Sequence, residues 1–342
     1  MPRQERLDGQ GSGDCSMVDS DAKNFHERIL SETFFIDALD PGIRLHVRNK
    51  RPREICCFSP EAIVLFVHGA TYPCETIFDI DLPGGSWMDC LAHRGFDAYF
   101  VDVRGYGRST RPPAMMAPAD QNPPFADTDE AVRDVSAAVD FILKRRNIDR
   151  VNLVGWSWGT AIMGGYTVAN NDRVNKLVLC GPLWVPREPP PFSGLGAYRA
   201  VDREQARLRM LRSIPSEWRE EISPSSWFDR WWAANLATDP EGAALDPPAL
   251  RAPNGVVKDM TECWEKGKPT WDPSALRVPT LLVLGEWDQD TPLHMAQEVF
   301  ARLGSAPDRR LLILGQGSHM YGVEKNRMRL IRQVQHFLEE PH

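Results

Sequence analysis

The sequence lacks the features that place a protein in or across a membrane. No apolar run approaches the length of about 20 residues that crosses a bilayer, and the first stretch, MPRQERLDGQGSGDCSM, contains no apolar segment of the secretory type. We therefore expect neither export nor membrane insertion.

A strong charge of one sign and a metal-binding cysteine pattern are also missing. The 40 basic and 47 acidic residues give a net charge of -7, which offers no reason to expect nucleic acid or anionic lipid as a partner. The seven cysteines are scattered, with an adjacent pair at Cys56 and Cys57 but no CxxC spacing. This pattern predicts idle thiols in a reducing cytoplasm, no bound metal or cofactor, and a small molecule as the partner; it leaves the oligomeric state open.

Short apolar runs alternate with helical stretches along most of the chain. Residues 1–25 are polar and without periodicity, which predicts a flexible tail. A hairpin is predicted at Asp40-Pro41-Gly42, and residues 128–146 carry apolar side chains at helical spacing. The apolar runs cover 62–70, 96–107, 150–159, 176–182, 280–288 and 309–319. Runs without alternation are typical of strands buried on both faces, so we predict a doubly wound α/β sheet.

The alternation stops between residues 183 and 275. This segment is rich in proline, holds seven of the eleven tryptophans, and shows only broken helical patterns. We therefore predict a core domain over 26–182 and 276–342, interrupted by a mainly helical cap over 183–275.

The pentapeptide GWSWG, residues 155–159, lies between a predicted strand and a predicted helix. A serine at such a corner occupies a strained turn that exposes its Oγ above the sheet, and glycines are needed on both sides because a Cβ would collide with neighbouring chain. The sequence thus predicts Ser157 as a nucleophile. The backbone N–H of Trp158, at the helix N-terminus, is expected to form half of an oxyanion hole.

The second oxyanion donor is expected in the loop that follows the preceding core strand, which reads HGATYP. His68-Gly69 allows a close backbone turn, which directs the N–H of Ala70, or alternatively that of Thr71, at the same oxygen. His68 itself is interpreted as structural.

An activated serine also needs a base and an orienting acid, and both are expected at the carboxyl ends of late strands. His319 follows such a strand on a glycine-rich loop, whereas the other histidines outside the HGA loop fall on the tail, the hairpin, helices or the terminus. Among three nearby acids we choose Asp288, since Glu286 is still close to the strand and Asp290 is placed to cap the next helix.

The chain order Ser157, Asp288, His319, together with HGA, VDVRGYGRS, GWSWG and GEWDQDTP, resembles the α/β-hydrolase superfamily and its capped serine hydrolases. The resemblance implies an eight-stranded, mostly parallel sheet with one antiparallel early strand, and no cofactor. Dehalogenases and epoxide hydrolases of the superfamily have aspartate at the position of Ser157, which disfavours those activities. Proline iminopeptidases have an HGGPG-type loop where this chain has HGATYP, which disfavours peptide cleavage.

We therefore predict a serine hydrolase that cleaves a carboxylic ester or lactone of a small molecule through an acyl-enzyme. A carbon-carbon bond hydrolase with the same triad and a small-molecule receptor on this scaffold are the alternatives. Tryptophans near the nucleophile and in the insertion favour an apolar or aromatic acyl group, unless they form the core of the insertion. Five arginines at 199, 203, 207, 209 and 212 would suit an anionic substrate, but Asp202 and Glu204 interleave with them, so they are interpreted as a solvated helix face. The candidate substrate-binding residues are Thr71, Trp156, Trp184 and Trp231.

Overall fold

The computed structural model describes residues 28–187 and 196–341. The predicted tail, residues 1–25, lies outside these ranges, as does a short part of the predicted insertion. No helix of the described residues combines the length and the apolar composition that a bilayer span requires.

Ten strands and eleven α-helices make up the described chain. The strands are β1 (Ile29–Asp37), β2 (Arg44–Pro52), β3 (Ile63–Val67), β4 (Asp97–Val101), β5 (Val151–Trp156), β6 (Val174–Cys180), β7 (Tyr198–Asp202), β8 (Ala249–Pro253), β9 (Thr280–Gly285) and β10 (Arg309–Leu314). The helices are α1 (Glu75–Phe78), α2 (Trp87–His93), α3 (Thr128–Arg146), α4 (Trp158–Ala169), α5 (Arg203–Leu211), α6 (Arg219–Ile222), α7 (Ser225–Leu236), α8 (Pro240–Ala243), α9 (Gly255–Glu262), α10 (Leu293–Arg302) and α11 (Met328–Glu339).

Eight strands form one mostly parallel sheet in the order β1-β2-β4-β3-β5-β6-β9-β10. Strand β2 alone runs in the opposite direction to the other seven strands: it pairs antiparallel with both β1 and β4, and all remaining pairs are parallel. At the centre, Gly155 of β5 pairs with Val67 of β3 and with Leu179 of β6. The predicted hairpin, strands and α/β sheet are confirmed, and the carboxyl ends of β3, β5, β6, β9 and β10 meet at one edge.

The continuous apolar runs of the strands serve two separate cores. In β3, Leu65 and Val67 belong to the core beneath α3, α4 and α10, whereas Val64 and Phe66 belong to the core beneath α2 and α11. Alternate side chains point to opposite faces of a strand, so a strand covered on both sides must be apolar throughout.

Helix α3 occupies the predicted segment, and its ends have clear local causes. Asp127 and Glu130 form a capping box in which each side chain accepts from the other residue's backbone N–H. At the other end Asn147 adopts the left-handed conformation at φ 52°, which terminates the helix.

The chain leaves the sheet after β6 and returns at β9, and the intervening insertion contains α5 to α9. It also contains an antiparallel pair of strands, β7 and β8, which the prediction of a mainly helical insertion omitted. Strand β8 reads ALRAP, which lacks the β-branched and aromatic residues that mark strands in a sequence. Its Arg251 is buried in an ion pair with Asp239, so tertiary contacts outweigh local propensity there.

A buried lysine joins the central sheet to the last helix. The Nζ of Lys176, on β6, donates to the carbonyl oxygens of Phe337 at 3.0 Å and Leu338 at 2.7 Å, and also to that of Glu340. These are carbonyls at the C-terminal end of α11 that have no partner within the helix. The ammonium therefore satisfies them and opposes the negative end of the helix dipole.

Replacement of this lysine by a side chain of similar length should destabilise the fold. Lys176→Met removes three hydrogen bonds and leaves buried carbonyl oxygens unsatisfied, at a cost of about 2–4 kcal/mol. Urea unfolding should show a lower midpoint for this variant than for Lys268→Met, whose lysine is exposed. Equal midpoints for the two variants would contradict the capping role of Lys176.

Candidate active site

Ser157 lies at a sharp corner between β5 and α4. Its backbone has φ 55° and ψ -118°, a conformation that a residue with a Cβ rarely adopts. Its N–H donates to the carbonyl oxygen of Cys180 at 2.8 Å, which ties the corner to the end of β6. This geometry is the strained strand-to-helix turn that presents a serine hydroxyl above a sheet.

The two flanking glycines are required by close approach of the backbone. A Cβ on Gly155 would lie 2.2 Å from the carbonyl oxygen of Gly159. A Cβ on Gly159 would lie 2.6 Å from the carbonyl oxygen of His68, in the loop after β3. Both distances are far below van der Waals contact, so the corner and the neighbouring loop fit together only with glycine at these positions.

The rings of the two tryptophans beside Ser157 are buried on opposite sides of the sheet. Trp156 packs edge-on against Trp87 with ring centroids 6.3 Å apart, and its centroid lies 6.4 Å from that of His319. The Nε1–H of Trp158 donates to Thr128 Oγ1 at 3.0 Å, and that hydroxyl donates to Asp259 of the insertion at 2.5 Å. Neither ring is exposed, so both rings fix the position of the corner.

The loop after β3 is held by a buried histidine. The Nδ1 of His68 lies 2.7 Å from the carbonyl oxygen of Gly69, and its Nε2 accepts from the N–H of Val103 at 3.2 Å. Burial lowers the pKa of His68, which favours the neutral ring that these two contacts require. These contacts agree with the structural interpretation of His68.

Residues from the core and from the insertion both anchor the peptide that follows Ala70. The carbonyl oxygen of Ala70 accepts from the Tyr106 hydroxyl at 2.9 Å and from the guanidinium of Arg199, on β7. The neighbouring Thr71 is buried, and its Oγ1 accepts from Arg199 and from Arg209 at 2.9 Å each. No local pattern of the sequence predicts these arginine contacts, because they join residues about 130 positions apart.

Asp288 and His319 form a direct pair. The Nδ1 of His319 lies 2.9 and 3.0 Å from the two carboxylate oxygens of Asp288. The same carboxylate accepts from the N–H groups of Asp290 at 3.0 Å and Thr291 at 2.8 Å, and from the Thr291 hydroxyl at 2.9 Å. An ionised aspartate can only accept, so it holds His319 as the tautomer with hydrogen on Nδ1 and a lone pair on Nε2.

The two other acids near this strand have different partners. Glu286 is exposed and accepts from the N–H of Gln316 at 3.1 Å. The prediction that Asp290 caps the next helix is wrong: α10 begins after Pro292 without a side-chain cap, and Asp290 pairs with Arg209 and Arg212. The ion pairs explain the difference, since both arginines approach from the insertion.

Ser157 and His319 share neighbours at the ends of β5 and β6. Trp156 precedes Ser157 and contacts the imidazole, as described above. Cys180 accepts from the N–H of Ser157, and a Cβ on the following Gly181 would lie 3.3 Å from His319 Cε1 and 3.2 Å from Asp288 Oδ2. The structure therefore brings all three predicted triad residues to the same edge of the sheet.

The sequence analysis did not identify a buried glutamate, Glu324, that contacts the loop of His319. The Oγ of Ser318 donates to Glu324, and the N–H of Ser318 lies 3.3 Å from each oxygen of that carboxyl. Burial raises the pKa of Glu324 to about 7 against the usual 4.5, despite the hydrogen bonds from Ser318 that lower it. Its spacing of five residues from His319, across a loop, gives no periodic signal.

One group of three possible metal ligands occurs in residues 28–187 and 196–341: His68, Cys74 and Asp102, with ligand atoms within 4.8 Å of one another. Each already has a hydrogen-bonded partner in the core; for example, Asp102 accepts from Cys74 N–H at 2.8 Å and contacts His46 Nδ1 at 2.9 Å. Burial raises the pKa of the Cys74 thiol, which opposes the thiolate that a metal needs. We assign no metal to this group.

A cavity of about 1700 Å³ lies between the core and the insertion. The core contributes Ser157, Ala70 and Asp290 to its lining. The insertion contributes both apolar and basic side chains, among them Val257 and Arg209. The candidate nucleophile therefore faces a space large enough for a substantial organic molecule.

The four predicted substrate-binding residues are not among the residues that line this cavity. Trp184 packs edge-on against Trp271 with centroids 5.6 Å apart, and Trp231 is buried with its Nε1–H donating to Thr76 at 3.0 Å. Trp156 and Thr71 are held as described above. The large rings are placed in the two cores because burying them stabilises the fold, and sequence alone does not distinguish core from pocket.

The prediction that the five arginines form a solvated helix face is correct for Arg203 but wrong for the three arginines that line the cavity. Arg203 is 60% exposed and pairs with Asp229 on the outer face. Arg199, Arg209 and Arg212 line the cavity instead, and Arg199 belongs to β7 and not to a helix. The unpredicted strand pair turns Arg199 inward.

A family model described as serine aminopeptidase, S33, matches residues 59–326, which is more than half of the chain. The chain belongs to this family of α/β hydrolases. The match includes the Ser157 corner, the insertion and the His319 loop, so the predicted α/β-hydrolase fold is confirmed. A sequence search against curated proteins finds no match.

Solved structures of several hydrolases have a fold similar to that of this chain. A thermophilic esterase from Thermogutta terrifontis has a TM-score of 0.58 at 16% identity, covering 90% of this chain and 98% of that one. The enol-lactonase from Burkholderia xenovorans has a TM-score of 0.57 at 16% identity, covering 90% and 100%. A meta-cleavage product hydrolase from Pseudomonas fluorescens has a TM-score of 0.58 at 16% identity, covering 89% and 96%. These likenesses show the fold alone.

Loss of the Asp288 charge should affect turnover without unfolding the protein. In Asp288→Asn the amide can donate to Nδ1, which favours the wrong tautomer of His319, so kcat should fall about 10³–10⁴-fold. Steady-state kinetics should show little change for Glu286→Gln, the matched control at the same strand end. A severe loss in the control with full activity in Asp288→Asn would overturn the choice of acid.

The raised pKa of Glu324 predicts a pH-dependent stability. The folded state favours the protonated carboxyl, so the contribution of Glu324 is complete below pH 4.5 and is lost as the pH rises to about 7. Glu324→Gln avoids this loss, so the variant should gain up to roughly 3 kcal/mol relative to the wild type between pH 4.5 and pH 8. Urea unfolding at several pH values measures the gain. Parallel curves for the variant, the wild type and the exposed control Glu204→Gln would contradict it.

Proposed function

We propose that this hydrolase cleaves a carboxylic ester or lactone of a small molecule through an acyl-enzyme intermediate on Ser157. The observation that carries the proposal is the Asp288–His319 pair at the same sheet edge as a serine in a strained turn. A buried carboxylate on Nδ1 leaves Nε2 as the basic nitrogen of the imidazole. The chain thereby provides a base of the type that activates a serine hydroxyl.

In the proposed first step, His319 Nε2 removes the hydroxyl proton of Ser157 as Oγ attacks the substrate carbonyl. Asp288 stabilises the imidazolium that forms, and the imidazolium then protonates the leaving alcohol. Water attacks the acyl-enzyme in the second step with the same base. The reaction releases an acid and regenerates the serine, and it needs no cofactor.

The N–H groups of Ala70 and Trp158 are proposed to hold the tetrahedral oxyanion, with Thr71 as the alternative to Ala70. Two observations support Ala70. First, Ala70 lines the cavity together with Ser157. Second, its carbonyl oxygen accepts hydrogen bonds from Tyr106 and Arg199, and these bonds hold in place the loop that carries the Ala70 N–H. Preorganised donors of this kind contribute about 3 kcal/mol each to transition-state stabilisation.

An apolar or aromatic portion remains our proposal for part of the substrate. Apolar side chains from the core and the insertion supply part of the cavity wall: Leu183, Val257, Met260, Trp264 and Met295. Trp264 and Tyr198 also contribute aromatic rings to the lining, and these rings support an aryl or long alkyl group in place of the tryptophans that the sequence suggested.

The charge of the cavity opposes aminopeptidase activity, although the family is named for it. An aminopeptidase must bind the ammonium group of a peptide N-terminus, which requires acidic groups. The described lining contains five arginines and two aspartates. Together with the HGATYP loop, this charge supports an ester or lactone over a peptide.

The six cysteines that the structure describes form no disulfide with one another, which supports our proposal of a reducing cytoplasm as the location.

Substitution of the proposed nucleophile tests the assignment directly. Ser157→Ala should abolish hydrolysis of 4-nitrophenyl butyrate and block labelling by a fluorophosphonate probe, because no other residue is proposed to form the covalent bond. Ser274→Ala, at an exposed serine, is the control and should react as the wild type does. Undiminished labelling of Ser157→Ala would refute the nucleophile.

The same triad could cleave a carbon-carbon bond in a vinylogous diketone. Product masses distinguish the two reactions, since hydrolysis of an ester yields an acid and an alcohol, whereas hydrolysis of the carbon-carbon bond yields an acid and an enol that becomes a ketone. A screen of aryl esters, lactones and such diketones should give esters or lactones the highest kcat/KM. Turnover of the diketones alone would contradict the proposal, and binding without turnover of any compound would indicate a receptor.

A further inference from the structure

The cavity beside Ser157 has a positive wall. Of the lining residues in the described ranges, seven carry a full charge, and these are Arg187, Arg199, Arg209, Arg212, Arg219, Asp120 and Asp290. Five positive and two negative charges leave an excess of three positive charges, although the whole chain has a net charge of -7. The excess is local, so it needs a local explanation.

Three of these arginines form one hydrogen-bonded group, which we call the arginine cluster: Arg199, Arg209 and Arg212. Arg199 and Arg209 each donate to Thr71 Oγ1 at 2.9 Å. The Nε of Arg209 donates to Asp290 Oδ2 at 2.9 Å, and Arg212 donates to the other oxygen of the same carboxylate. The Asp290 carboxylate thus pairs with two guanidinium groups, and the third joins them through Thr71.

The arginine cluster brings three positive charges together, and its partial burial limits the screening of their mutual repulsion by water. The side chains of Arg209 and Arg212 are 23% and 44% exposed, and Arg199 is half-buried. Burial lowers the pKa of Arg212, and the charge of Arg209 lowers it further. A second anion at this position would reduce the repulsion between the guanidinium groups, at a site where partial burial strengthens charge-charge interactions.

The cluster also contacts both loops that frame the proposed chemistry. Thr71 follows Ala70, the proposed oxyanion residue, and the N–H of Asp290 donates to the carboxylate of Asp288 at 3.0 Å. A substrate group bound by the cluster would therefore lie on the same side of the cavity as these two loops. The apolar wall described above remains for the rest of the molecule.

We propose that the arginine cluster binds a carboxylate of the substrate, so that the preferred esters or lactones are acidic ones. Guanidinium groups bind carboxylates with paired hydrogen bonds, and Asp290 already occupies part of the cluster in this manner. The inference deepens the proposed hydrolase function and rests on it. Asp290 competes with the substrate for the same cations, and it tunes the selectivity of the site.

Two esters with acyl chains of equal length test the inference. They are 4-nitrophenyl hydrogen glutarate, which ends in a carboxylate, and 4-nitrophenyl pentanoate, which ends in a methyl group. The measured quantity is the ratio of kcat/KM for glutarate to that for pentanoate. Arg212→Gln should lower this ratio about tenfold, mainly through KM for the glutarate ester, whereas Asp290→Asn should raise it.

The opposite signs distinguish selectivity from a folding defect, which would lower both rates together. Arg203→Gln removes an arginine of the same insertion that lies on its outer face, and it should leave the ratio at the wild-type value. If the pentanoate ester is hydrolysed and the ratio is the same in all four proteins, the inference is overturned while ester hydrolysis stands.

A binding measurement separates failure of the inference from failure of the proposed function. Titration of glutarate into Ser157→Ala by calorimetry should show binding that Ser157→Ala combined with Arg212→Gln weakens about tenfold. If neither ester is hydrolysed, the hydrolase proposal fails, and this binding difference still decides the carboxylate site. Equal affinity, or no binding of glutarate to either protein, would overturn the inference.

Discussion

The whole site depends on one steric constraint, the close approach of the β5–α4 corner to the loop after β3. Ser157 has a positive φ, and the space for its turn exists only because Gly155 and Gly159 lack a Cβ. The parallel pairing of β3 with β5 sets this approach, and the pairing of β5 with β6 then sets the position of Ser157 relative to Gly181. The cost of the strained turn is met by burial of the apolar strands on either side.

The insertion completes the site by reaching into the core at several points. Asp259 accepts from Thr128, which in turn accepts from the indole of Trp158, so a buried polar chain runs from the insertion to the corner. On the other side of the cavity, Arg199 anchors the Ala70 loop. The segment that encloses the substrate space is thus also a support for the residues proposed to do the chemistry.

The sequence was informative where a single local rule governs the structure. Continuous apolar runs predicted the strands, and the residues around Ser157, Asp288 and His319 could be chosen because parallel strands place their carboxyl ends together. Tertiary contacts decided the rest. Strand β8 forms despite a weak local propensity, Asp290 prefers two arginines to a helix N-terminus, and Trp184 and Trp231 fill cores that no periodicity distinguishes from a pocket.

The proposed mechanism requires that turnover pass through a covalent acyl group on Ser157. Rapid mixing of the wild-type protein with 4-nitrophenyl butyrate, an acid quench within the first turnover, and peptide mass spectrometry test it most directly. Nitrophenolate is a good leaving group, so acylation should be faster than deacylation, and we expect a burst of nitrophenol and one butyryl group on the peptide that contains Ser157. Turnover without an adduct at any time point, or an adduct on a different residue, would contradict it.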